Sequence, residues 1–164
     1  MSSRGGDTPA RDAHGSWSPD SARRAHADRT AARALEALHR QADAAWSGYR
    51  CPGTAECCQL RERGREPWLW GVEWDALRRT VPQLPPPRDD GGCPFLDAAG
   101  RRCTVYAARP VGCRTYFCHR ATGPAREPAG EMDRLQRRLE AIARAVRPDD
   151  DGPRPITRWL EDST

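Results

Sequence analysis

Seven cysteines are the residues of this 164-residue sequence whose type and spacing are best suited to chemistry. Three lie in CPGTAECC at residues 51–58, and four lie in CPFLDAAGRRCTVYAARPVGCRTYFCH at residues 93–119. Thiolate is a soft ligand that suits zinc, copper(I) and iron–sulfur clusters, and such sites need about four of them. We therefore expect the two segments to meet in the folded chain, with metal ligands drawn from Cys51, Cys57, Cys58, Cys93, Cys103, Cys113 and Cys118.

The compartment helps to decide between a metal site and disulfides. The N-terminal residues contain no apolar stretch of signal-peptide length, and no apolar run of about 18 residues is long enough to span a membrane. We therefore expect a cytoplasmic protein without membrane contact, where clustered cysteines more often bind metal than form disulfides. A single cysteine such as Cys58 is also open to the alternative of a small buried apolar side chain.

Two adjacent cysteines and a histidine affect the count of ligands. We expect the side chains of Cys57 and Cys58 to diverge, so that they serve different ions or one of them is free. His119 would raise the number of ligands to eight, which is enough for two tetrahedral sites. A lone histidine is more often solvated or packed than a ligand, so both interpretations of His119 stay open.

The composition predicts a thin core that needs an additional source of stability. Apolar residue types make up 37% of the chain, below the roughly 45–50% of typical domains, and many of them are alanine. A structural zinc ion contributes on the order of 10–16 kcal/mol to peptides that are unfolded without it. One disulfide typically adds about 2–4 kcal/mol. This difference favours a metal as the source of stability.

The charge of the chain excludes few functions, but it disfavours nucleic acid as a partner. All 27 basic side chains are arginine, and they are interleaved with 23 carboxylates to give a net charge of only +4. We therefore do not expect a nucleic-acid partner, whereas a protein partner stays open. Arg109 and Arg114 either bind an anion, donate hydrogen bonds to loop carbonyls or offset the negative charge of a thiolate site.

Two amphipathic helices are predicted at either end of the chain. Residues 20–46 carry an apolar stripe at steps of three and four, with Ser18 as the N-cap and Pro19 in the first helical position. Residues 131–147 repeat the stripe with Met132, Leu135, Leu139, Ile142 and Val146. We expect these two helices to pack over the cysteine-rich centre.

Shorter elements are predicted between them. Trp70, Trp74, Leu77 and Val81 mark a short helix that ends before Pro82 and contributes to the core. CPFLD and RCTVY, which flank the turn residues AAGR, predict a β-hairpin over residues 93–106 with Gly100 in the turn. Pro110 begins a helical turn that runs from Val111 to Phe117.

These elements predict a mostly helical α+β fold, a small single domain with an irregular cysteine-rich centre and a short β-hairpin. We assign residues 1–17 to a disordered leader, 18–147 to a metal-binding domain and 148–164 to a C-terminal tail whose Trp159 and Leu160 dock on the domain.

The cysteine segments resemble the YkgJ-type cysteine-cluster family. Its signature is CxxCxxCC, then CPFL, then Cys-x-Ile/Val-Tyr-x-x-Arg-Pro-x-x-Cys-Arg. The second half is matched by Cys93, Pro94, Phe95, Leu96, Cys103, Val105, Tyr106, Arg109, Pro110, Cys113 and Arg114. The first half is matched at three of its four cysteine positions, because Thr54 stands at the second. Cys118 lies beyond the signature, and we hypothesise that it replaces the missing ligand.

The resemblance implies a zinc- or iron-chelating domain, and it leaves the cellular role open. One alternative is an iron–sulfur oxidoreductase, or an accessory to a protein-modifying enzyme, because a related cluster occurs in flagellin lysine methylases. Another is an interaction module in which the metal only supports a surface. No glycine-rich cofactor loop or catalytic carboxylate motif is recognisable, so we assign no catalytic residue and leave enzymatic activity undecided.

Overall fold

The computed structural model describes residues 19–126 and 128–163. Within these residues, six α-helices, two single-turn 3₁₀ helices at Glu56–Cys58 and Tyr106–Ala108, and two strands make up the regular structure. The helices are α1 (Pro19–Ala45), α2 (Leu60–Arg63), α3 (Gly71–Arg78), α4 (Val111–Arg114), α5 (Glu131–Val146) and α6 (Ile156–Glu161). The strands are β1 (Trp68–Leu69) and β2 (Arg154–Pro155).

The first core lies between α1 and α5, the two longest helices. Leu35 and Leu38 of α1 pack in one buried cluster with Leu135 and Leu139 of α5. The steps of three and four between apolar residues place them on one side of each helix, as expected from the sequence. The predicted Ser18 cap and the predicted leader at 1–17 lie outside the described residues.

The second core lies beside the cysteine-rich centre and is built from short elements. Trp74 of α3 stacks on Trp159 of α6 with 6.0 Å between ring centroids. The indole Nε1 of Trp159 donates a hydrogen bond of 2.9 Å to the carbonyl of Leu69. Phe95 and Ile156 are buried in the same cluster. The segment after residue 147 is therefore packed against the domain, and the predicted core role of the tryptophans in α3 is confirmed.

The two-stranded sheet is not where the sequence predicted it. Strands β1 and β2 pair antiparallel, with Trp68 opposite Pro155 and Leu69 opposite Arg154. At the predicted hairpin the chain reverses around Gly100, whose φ is +68°, but forms only one isolated antiparallel bridge, from Leu96 to Cys103. The predicted hairpin over 93–106 is therefore too long, because the two sides pair at one bridge only.

The predicted fold class is confirmed, since the chain is mostly helical with a short antiparallel sheet. α3 ends at Arg78, before the predicted limit at Pro82, and α4 is confined to Val111–Arg114 instead of extending to Phe117. None of the described helices has the length and apolar character that crossing a membrane requires.

A buried carboxyl group joins α3 to α4. Glu73 is only 2% exposed, and its two oxygens accept hydrogen bonds from the backbone N–H groups of Val111 at 2.7 Å and Trp70 at 3.2 Å. Burial raises the pKa of Glu73 to about 7, although both hydrogen bonds act in the opposite direction. Glu73 therefore fixes the start of α4, which carries Cys113.

The raised pKa of Glu73 predicts a pH-dependent stability. The native state keeps a proton that the unfolded chain releases near its ordinary pKa, so this contribution is complete below about pH 4.5 and is lost as the pH rises through about 7. We expect the difference in unfolding free energy between wild type and Glu73→Gln to shrink by about 2–3 kcal/mol between about pH 5 and pH 8. Urea unfolding at both pH values measures it, and a difference independent of pH would contradict the assignment.

Candidate metal centre

A single open cleft of about 1280 Å³ is lined by all seven cysteines. Cys57 and Cys58 lie on the first 3₁₀ turn, Cys103 lies at the isolated bridge, and Cys113 lies in α4. Cys93 is buried next to this group in the second core. All seven thiols are free. The structure thus brings the two cysteine segments to one place, as their spacing predicted.

Backbone hydrogen bonds hold the two segments against each other. The N–H of Cys93 donates to the carbonyl of Cys58 at 2.7 Å, and the N–H of Arg61 donates to the carbonyl of Gly91 at 3.1 Å. These bonds use main-chain groups only, so the thiol groups of both cysteines remain available to a ligand.

The adjacent cysteines point their sulfur atoms toward the same region. The Sγ atoms of Cys57 and Cys58 are 3.8 Å apart. Zn–S bonds of about 2.3 Å place neighbouring sulfurs of a tetrahedral site about 3.8 Å apart. The expectation that these side chains diverge is wrong, because the two sulfurs, on adjacent residues of the 3₁₀ turn at Glu56–Cys58, lie within contact distance of each other. The pair therefore has the spacing of two ligands of one ion.

Five of the thiols interact with one another, and these interactions together with burial disfavour the ionisation of Cys57, Cys58, Cys103 and Cys113. The hydrogen bond with Cys58 raises the pKa of Cys57, with further contributions from burial and from the charge of Cys58. For Cys58, the hydrogen bond with Cys57 lowers the pKa, but the hydrogen bond with Cys93, burial and the charges of Cys93 and Cys103 raise it to about 12.

Burial and neighbouring charges also raise the pKa values of Cys103 and Cys113. Burial is the main reason that the pKa of Cys113 is raised, and the charges of Cys58, Cys103 and Cys57 add to it. Burial also raises the pKa of Cys103, to which the charge of Cys57 adds. Several thiolates this close repel one another, so a cation is needed before the group can carry its full negative charge. We call Cys57, Cys58, Cys93, Cys103 and Cys113 the five-thiol group.

Arg109 is the guanidinium next to this group. It lies 3.6 Å from the ring centroid of Tyr106, its Nε donates to the carbonyl of Tyr106 at 3.1 Å, and one terminal nitrogen donates to the carbonyl of Cys113 at 3.3 Å. Its positive charge lowers the pKa values of Cys57, Cys103 and Cys113 against the effects of burial. Arg109 therefore donates to loop carbonyls and also offsets thiolate charge.

Arg114 acts on the loop that carries Arg109. Its side chain is 7% exposed and donates to the carbonyls of Arg109 at 2.7 Å and Ala107 at 2.5 Å. It also forms an ion pair of 2.7 Å with Asp43 of α1, whose side chain is 50% exposed. Arg114 thus connects the first core to the segment between Cys103 and Cys113. The sequence identified Arg114 but missed Asp43, because nothing local marks a partner 71 residues away.

No contact of Cys51, Cys118 or His119 with the five-thiol group is among the described contacts. Cys51 is exposed, and Cys118 is buried at the wall of the same cleft. The His119 side chain is 64% exposed, and its Nδ1 lies 3.9 Å from a carboxylate oxygen of Glu56. Glu56 also pairs with Arg63 and Arg120, a role that the sequence analysis did not foresee. The structure therefore places His119 against a carboxylate rather than in the cleft lining.

The side chains within 19–126 and 128–163 include no set of three or more His, Cys, Asp or Glu already arranged to hold a metal ion. The donor set nevertheless fits a thiolate-bound metal, because five thiols converge and the Cys57–Cys58 sulfur spacing equals a tetrahedral edge.

The contacts of Arg114 predict unequal effects of two substitutions. Arg114→Ala leaves two loop carbonyls without their charged donor, and we expect it to lower the unfolding free energy by about 2–3 kcal/mol. Asp43→Asn removes only a half-exposed ion pair, which is worth about 0–1 kcal/mol. Urea unfolding of both variants tests this order, and equal losses would show that the ion pair, and not the carbonyl contacts, carries the stability.

Among the comparisons with known proteins, the family models give a match. Neither the curated proteins nor the solved structures include a match to this chain. Residues 49–134 match the model of a family described as "CxxCxxCC: Putative zinc- or iron-chelating domain". The match contains both cysteine segments and departs from the CxxCxxCC pattern at Thr54. Because it spans just over half of the sequence, the chain belongs to the CxxCxxCC family of zinc- or iron-chelating domains.

Proposed function

We propose that this protein binds zinc or iron through thiolates of the five-thiol group. The observation that carries the proposal is the convergence of five thiols from both segments on one cleft, with two sulfurs 3.8 Å apart. Family membership supports the same chemistry. Cys57 and Cys58 are two proposed ligands of the ion. Two of the three thiols of Cys93, Cys103 and Cys113 complete the four-fold coordination, and the third is not needed for it.

The openness of the cleft bears on the role of the metal. Structural zinc sites are closed by four protein ligands, whereas exchangeable or reactive sites keep a path to solvent. A cleft of about 1280 Å³ is far larger than one ion with its thiolates, and the exposed Tyr106 and Trp68 line it. This favours an ion that small molecules can reach over one that is sealed inside the fold.

Elemental analysis of the full chain, purified without oxygen, tests the proposal directly. We expect zinc or iron at one or more ions per chain, and loss of metal in a Cys57→Ser/Cys58→Ser variant. Colourless protein with zinc identifies a simple thiolate site, whereas visible absorption with iron and sulfide identifies the iron–sulfur alternative. A wild-type chain that holds neither metal as isolated, nor after anaerobic reconstitution, would overturn the proposal.

Removal of the metal is expected to destabilise the cysteine-rich centre. The segments around Cys93 and Cys103 pack into the second core, so loss of the ion releases core residues as well as ligands. We expect chelation to lower the thermal midpoint and to reduce the near-ultraviolet signal of Trp74 and Trp159, while much of the helical signal from α1 and α5 persists. An unchanged near-ultraviolet spectrum and midpoint after verified removal of metal would contradict a stabilising role.

Arg109 is expected to contribute to metal affinity through its charge. Arg109→Gln removes the cation that offsets thiolate charge, and we expect an affinity loss of about tenfold or more, as for other groups that support metal ligands. Arg102→Gln is the matched control, because Arg102 lines the same cleft but, unlike Arg109, its guanidinium is not among the charges that lower the pKa values of Cys57, Cys103 and Cys113. Competition with a chromophoric chelator measures both affinities. Equal metal affinities in the two variants would show that the charge of Arg109 does not contribute to metal binding.

A further inference from the structure

We propose that Cys51 and Cys118 form a second thiolate pair in the cleft, with Cys118 supplying the ligand that Thr54 lacks, so that the chain binds two ions. This inference rests on the proposed function and concerns the two cysteines outside the five-thiol group. Three separate observations support it: the backbone contact between their segments, the burial of Cys118, and the number of thiols.

The backbone brings Cys51 and Cys118 toward each other. Arg50 and Thr122 form an antiparallel bridge with N–H to carbonyl bonds of 2.7 and 3.2 Å, which places Cys51 opposite Ala121. The N–H of Ala121 in turn donates to the carbonyl of Cys118 at 2.9 Å, so Cys118 is only one turn from that position.

Stacked rings strengthen this contact, two residues before Cys51 and one residue before Cys118. Tyr49 and Phe117 stack with 4.8 Å between centroids and 18° between ring planes. Gly123 packs against the same tyrosine so closely that an added Cβ would lie 2.6 Å from its ring. The two segments are therefore held in register by both backbone and side chains, although about 70 residues separate them in sequence.

Cys118 has the surroundings of a ligand rather than of a solvated thiol. Its side chain lies at the cleft wall, the residue is 9% exposed, and its thiol has no hydrogen-bond partner among the described residues. Thr54 lines the same cleft but offers only a neutral hydroxyl, which is a poor ligand for zinc or iron compared with a thiolate. Cys118 is thus the free thiol best placed to replace the cysteine that the family pattern has at position 54.

The number of thiols fits two ions. Two tetrahedral ions require eight metal–sulfur bonds, and seven thiolates supply them when one thiolate bridges both ions. Without the Cys51–Cys118 pair, the five-thiol group fills one tetrahedral site with one thiol left over. The second ion therefore depends on this pair.

Metal stoichiometry in cysteine variants tests the inference with the full chain. Wild type is loaded with Zn²⁺ or Co²⁺ without oxygen, desalted, and measured by elemental analysis and by thiolate-to-cobalt charge-transfer absorption. We expect two ions in wild type and one in Cys118→Ser, with proportional loss of the absorption. We expect the same loss in Cys51→Ser, whose exposed position makes a packing defect an insufficient explanation.

Rescue distinguishes a ligand from a packing residue. Adding Thr54→Cys to Cys118→Ser should restore the second ion, because it returns the thiolate to the family's position. His119→Gln is the matched control next to Cys118 and should retain two ions. One ion in wild type that Cys118→Ser leaves unchanged, or failure of Thr54→Cys to restore the second ion, would overturn this inference alone. Absence of any ion from wild type would overturn the proposed function itself.

Discussion

The hydrogen bond from the N–H of Cys93 to the carbonyl of Cys58 is the contact on which the cysteine-rich centre depends. It joins the segment that carries Cys51, Cys57 and Cys58 to the segment that carries the other four cysteines. Because the bond is made by the main chain, it sets the distance between the segments without using a sulfur. Its consequence is electrostatic, since it forces several ionisable thiols into one half-buried region where only a cation can balance them.

The two cores hold this region from opposite sides. Arg114 ties the loop after Cys103 to Asp43 of the α1–α5 core, and Glu73 ties the start of α4 to α3. On the other side, Phe95 and Trp159 pack the second segment and the C-terminal helix into one cluster. In the loop between Cys103 and Cys113, the side chains of Arg109 and Arg114 satisfy backbone carbonyls.

Periodic and local features of the fold were predictable from the sequence, and contacts between distant loops were not. The stripes of α1 and α5 and the tryptophans of α3 could be assigned because helical spacing alone decides which face is buried. The pairing of Leu69 with Arg154 could not be predicted, since two-residue strands carry no alternating pattern of apolar and polar residues. In the site, the chemistry of the thiols predicted that the segments converge, but the close approach of the Cys57 and Cys58 sulfurs depends on side-chain conformations that the sequence does not mark.

The packing of α1 against α5 also has a kinetic consequence. These helices lie on either side of residues 46–130, so the first core forms only when a loop of that length closes. Closure of long loops is slow because chain entropy is lost before the contacts are gained. An ion captured early by the two cysteine segments would divide this loop into shorter ones, so the availability of metal during synthesis would set how fast the chain reaches its native state.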